Sequence, residues 1–66
     1  MQIILNGREK NISEGLTASG LIDALELGDR RIAVEVNSEI VVRSALATHV
    51  LHAGDRVEII HAIGGG

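Results

Sequence analysis

Residues 54–66 read Gly54-Asp-Arg-Val-Glu-Ile-Ile-His-Ala-Ile-Gly-Gly-Gly66. The Gly54-Asp55 turn signal opens a β-branched, apolar run from Arg56 to Ile63, which predicts a strand with Val57 and Ile59 turned inward. Three glycines follow it directly. Glycine is costly to order and gives a core no side chain. A folded domain is therefore expected over residues 1–63, followed by a flexible thread, Gly64-Gly65-Gly66.

The other apolar strand lies at the opposite end of the sequence. Met1-Gln-Ile-Ile-Leu-Asn6 is short and β-branched, as expected of a strand buried on both faces. Asn6-Gly7 tolerates positive φ at both positions and suits a two-residue hairpin. Arg8 to Ser13 is then the more polar returning strand, nearer an edge.

Thr17 is the expected cap of the one convincing helix. Leu16 and Leu21 are spaced for a hydrophobic staple across it. Leu21, Ile22 and Leu25 share a face, with Asp23 and Glu26 outward. Gly20 weakens this helix by about 1 kcal/mol relative to Ala. Gly28 is the expected left-handed stop, and Arg30 and Arg31 beyond it are placed to offset the helix dipole.

Ile32, Val34 and Val36 alternate with Ala33 and Glu35, the pattern of a half-buried strand. Asn37-Ser38 signals a turn, and Ile40 to Arg43 a short strand. Ser44 to Leu51 fits either a helical turn or an irregular loop. The order is hairpin, helix, strands and a long final strand, with the first and last strands central and side by side. This predicts an α+β domain: a mixed four- to five-stranded sheet with one main helix packed on one face, the β-grasp or ubiquitin-like arrangement.

Composition narrows the function. The chain has 66 residues, no Cys, no aromatic residue and a formal net charge of -3. Without Cys there is no disulfide, thiolate metal site or cysteine nucleophile. Scattered basic residues and the lack of aromatics argue against nucleic-acid binding. No stretch approaches the roughly 18 apolar residues of a membrane span, and no secretory signal is evident. A soluble cytoplasmic domain is expected.

Side chains offer little chemistry. His49 and His52 are three apart, as metal ligands can be, but no third ligand is recognisable and no metal site is expected. Ser44, His49 and Asp55 lack any nucleophile-elbow context, and residue types alone do not make a triad. His61 is close enough to the tail to touch whatever binds it, although plain exposure is the simpler reading. Ile60, Ala62 and Ile63 are the candidate docking residues. Ile60 and Ala62 alternate away from the inward Val57 and Ile59, and exposed apolar groups beside a functional end mark a partner site.

The tail itself is the chemical feature. A bare glycine thread can enter a tunnel that excludes side chains, and it delivers a terminal carboxylate with little hindrance. Adenylation with ATP converts such a carboxylate into a mixed anhydride, and a sulfur nucleophile then displaces AMP to leave a thiocarboxylate. The chain need supply no acid, base or metal and is expected to be a carrier, not an enzyme.

Met1-Gln-Ile-Ile-Leu-Asn-Gly7, Val34-Glu-Val-Asn37, Glu39-Ile-Val41, Gly54-Asp-Arg-Val-Glu-Ile59 and His61-Ala-Ile-Gly-Gly-Gly66 together resemble the ThiS family of thiamine-biosynthesis sulfur carriers. The resemblance covers essentially the whole chain. It implies that Gly66 is the residue modified, with Gly65 and, less strictly, Gly64 recognised beside it. It implies a ThiF-like adenylyltransferase using ATP, a sulfur donor such as a cysteine desulfurase relay, and thiazole synthase (ThiG-like) as acceptor. No cofactor is expected on the chain. Ser38 stands where many members have Gly, and Val42 where many have Pro. The alternatives are a molybdopterin-synthase small subunit, usually longer and richer in aromatics, and a ubiquitin-like modifier whose activated carboxyl is attacked by lysine.

Overall fold

The computed structural model describes residues 1–61. Five strands, β1 (Gln2–Leu5), β2 (Arg8–Asn11), β3 (Ile32–Val36), β4 (Glu39–Val41) and β5 (Arg56–His61), form one sheet in the order β2-β1-β5-β3-β4. The helix α1 (Ala18–Ala24) and a short 3-10 turn (Arg43–Ala45) complete the fold. β5 is central, parallel to β1 and antiparallel to β3. Among the described residues no helix is long and apolar enough to cross a membrane.

Both hairpins follow from local chemistry. Asn6 and Gly7 have φ of 49° and 82°, and Asn37 and Ser38 have φ of 53° and 71°. Positive φ at both central positions gives turns whose twist matches that of the flanking strands.

The core lies between α1 and one sheet face, with Ile3, Leu21, Ile22, Val34, Val36, Leu51, Val57 and Ile59 buried together. Alternation on β3 and β5 is as the sequence predicts. β1 is different: only Ile3 is fully buried, Ile4 is half-buried and Gln2 is exposed. A strand buried on both faces needs a second covering layer, and the helix covers only one.

Thr17 caps α1 by accepting a hydrogen bond from the Gly20 N–H at 3.0 Å. The next donors find long-range partners: the Ala18 N–H donates to the His49 carbonyl and the Ser19 N–H to the Leu46 carbonyl. The ambiguous segment before Leu51 is thus the 3-10 turn followed by a backbone cap on the helix, and it delivers Leu51 into the core. At Gly20 an added Cβ would come within 2.7 Å of Leu16 Cδ1. The glycine therefore lets Leu16 lie close across the first turn.

The helix end corrects two expectations. Glu26, not Gly28, takes the left-handed position, with φ 59°. Its N–H donates to the Asp23 carbonyl, and the Leu27 N–H donates to the Ile22 carbonyl. This is the paired bonding of a Schellman cap. Leu27 packs against the core, and that contact fixes the stop two residues earlier. The last turn carries no basic residue. Arg30 and Arg31 lie beyond the reach of the dipole, which fades within the final turn.

Candidate functional site

β5 sorts its side chains to opposite faces. Val57 and Ile59 point into the core, while Ile60 is 51% exposed on the other side. The docking expectation requires that exposure at Ile60. Ala62, Ile63, Gly64, Gly65 and Gly66 lie outside the described residues.

Ile60 does not stand alone. Sheet register places it opposite Ala33, which is also exposed. Across the sheet, Ile40 is 69% exposed and Val42, just beyond β4, is 60% exposed. Sequence reading singles out Ile60 but not Ala33, Ile40 or Val42. Their alternation is visible, but the register that sets β3 beside β5 is not.

His61 pairs in register with Ile32 and is exposed at the end of β5, as plain exposure requires. His49 and His52 belong to another region. His49 gives its carbonyl to the helix cap, and the His52 N–H donates to Asp55 Oδ2 at 2.8 Å. Asp55 Oδ1 accepts from Asn37 Nδ2 at 3.0 Å, and Asn37 Oδ1 accepts the Arg56 N–H at 3.0 Å. This network ties the β3–β4 turn to the start of β5. Burial pushes the Asp55 carboxyl up, but the His52 N–H, the Asn37 amide and the His52 and His49 imidazoles outweigh it, so its pKa is lowered. No group of three or more metal-ligating side chains is assembled among the described residues.

A single helix on one face of a five-stranded mixed sheet with a central last strand defines a β-grasp domain, here with exposed apolar side chains on the sheet's other face. The chain belongs to the ThiS family, whose sequence profile matches residues 3–66. It is 30% identical over 66 residues to the sulfur carrier protein ThiS of Escherichia coli, covering all of both chains. The crystal structure of the thiamine biosynthesis protein ThiS from Geobacter metallireducens superposes with a TM-score of 0.87 at 30% identity, again over all of both chains. The chain is also 41% identical over 66 residues to a thiazole synthase of Paramagnetospirillum magneticum, where it spans only 20% of that protein's length.

Proposed function

We propose that this chain is a sulfur carrier of thiamine biosynthesis that delivers sulfur for the thiazole ring as a thiocarboxylate on Gly66. The supporting observation is end-to-end similarity to a sulfur carrier of the same length class, on the same fold.

The chemistry follows from the acyl group. The Gly66 carboxylate attacks the α-phosphorus of ATP and pyrophosphate leaves, giving an acyl-adenylate. A persulfide from a sulfur relay attacks the carbonyl carbon and AMP leaves, giving an acyl disulfide. A thiol then cleaves the S–S bond, taking one sulfur into a new disulfide and releasing the thiocarboxylate. A ThiF-like enzyme supplies the activation, and thiazole synthase accepts the sulfur. The chain contributes the carboxylate, a narrow approach through Gly64 and Gly65, and a docking face that includes Ile60, Ala62 and Ile63. It acts as a co-substrate and not as a catalyst.

The test is intact-mass analysis after incubation with ATP, the activating enzyme and a sulfur source. Exchange of one oxygen for one sulfur, mapped to the C-terminal peptide, is the expected result. An unchanged mass alongside full ATP turnover, or isopeptide linkage to other proteins, would overturn the reading.

A further inference from the structure

Strand register produces a feature that stability alone does not explain. Glu35 on β3 lies directly opposite Glu58 on β5. Both alternate with core residues, Glu35 between Val34 and Val36 and Glu58 between Val57 and Ile59, so both project from the uncovered face. Like charges directly opposite on one face of an antiparallel pair are destabilising. The cation on this face of β5, Arg56, stands one row away, in register with Ile4 and with its N–H on Asn37.

The two carboxylates are framed by apolar groups. Ile40 is the partner of Glu35 on its other side, and the Ala33–Ile60 pair forms the next row. Ile40 and Ile60 are among the large exposed hydrophobic residues. An acidic pair inside an apolar rim complements a surface that offers one cation among apolar side chains. Docking such a surface would desolvate the pair while neutralising it, which rewards the correct partner and penalises uncharged ones.

We propose that Glu35 and Glu58 form the specificity element of a docking face for thiazole synthase, receiving an arginine or lysine of that enzyme between them while Ile60, Ala33 and Ile40 pack around it. This rests on the proposed sulfur-carrier function and names the partner of its docking face. Thiazole synthase is chosen over the activating enzyme because a relative of this domain occurs within a chain that is itself a thiazole synthase. That gives this fold a link to the enzyme independent of the patch.

The experiment measures binding of the intact chain to thiazole synthase of the same organism by calorimetry, at low and high salt. The variants are Glu35→Gln/Glu58→Gln, Glu35→Lys/Glu58→Lys and, as a control that changes net charge by as much as the glutamine pair does, Glu14→Lys in the turn before the helix. The lysine pair is expected to weaken binding about tenfold or more and the glutamine pair several-fold, with the control near wild type. The glutamine pair is also expected to raise Tm by a few degrees, about 2 °C or more, because it removes the repulsion. A merely structural role predicts the opposite sign. Wild-type affinity in both double variants overturns the inference while leaving the carrier function standing. Weakening by Glu14→Lys equal to that of the glutamine pair also overturns it. No binding by the wild-type chain overturns both this inference and the thiazole-synthase partnership.

Discussion

At the scale of single residues, two side chains sit where glycine would be easier. Ser38 has φ 71° and Glu26 has φ 59°. A left-handed non-glycine residue costs about 1–2 kcal/mol, and replacing it by glycine gives back about 0.4–1 kcal/mol through a freer unfolded chain. Ser38→Gly and Glu26→Gly are each expected to stabilise the fold by about 0.5–1 kcal/mol, read from urea unfolding midpoints. The Ser38 case matters because the turn orients Asn37, whose side chain joins β3–β4 to β5. Burial alone would raise the carboxyl pKa of Asp55, its partner there, but the His52 N–H and the Asn37 amide hold it below the ordinary carboxylate value. A depressed carboxylate contributes stability above its unfolded pKa, and that contribution is lost as pH falls through the folded value. Asp55→Asn is therefore expected to be less stable than wild type at pH 7, with the gap closing as the solution is acidified below that range. Denaturant unfolding at several pH values checks this, and a gap that stays constant with pH would contradict it.

At the scale of elements, what was legible in the sequence was what short-range chemistry decides. Asn6-Gly7, Asn37-Ser38 and the Thr17 cap could be read because turn and cap preferences depend on two or three adjacent residues. The alternation of Val34 with Val36 and of Val57 with Ile59 could be read because period two is a property of one strand. The stop at Glu26 could not, since a good C-terminal glycine stood two positions further on and the Leu27 contact with the core decided the matter. Nor could the segment from Arg43 to Leu51, because its backbone carbonyls are fixed by a helix more than twenty residues earlier. Of the candidate site, Ile60 was visible from its own strand, whereas Glu35 opposite Glu58 needed the register between two strands. The helix has only seven residues and depends on these contacts, since isolated helices below about 12 residues are marginal in water. Thr17→Ala is expected to cost about 1 kcal/mol by loss of the cap. Leu51→Ala, which empties a fully buried site, is expected to cost about 2–5 kcal/mol. If guanidinium unfolding ranked the two in reverse order, the segment around Leu51 would not be the structural anchor described.

At the scale of the whole molecule, β5 carries both the core and the candidate site. Its pairing with β1 on one side and β3 on the other joins the two hairpins into one sheet, and its Val57 is fully buried, as is Ile3 of β1. All the strands and helices described here lie within residues 1–61, whereas the proposed chemistry acts at Gly66. Stability and reactivity should consequently separate under substitution. A domain of this size is worth on the order of 3–10 kcal/mol, so Ile3→Ala, at about 2–5 kcal/mol, is expected to unfold a measurable fraction of the protein at 37 °C. Its folded fraction should still be adenylated in proportion. Removal of Gly65 and Gly66 is expected to do the reverse: an unchanged unfolding midpoint and circular dichroism spectrum, with adenylation abolished. A truncated chain that unfolded would show the last glycines to be part of the domain. One that still accepted AMP from ATP would place the reactive carboxyl elsewhere and remove the basis for a carrier acting through its final residue.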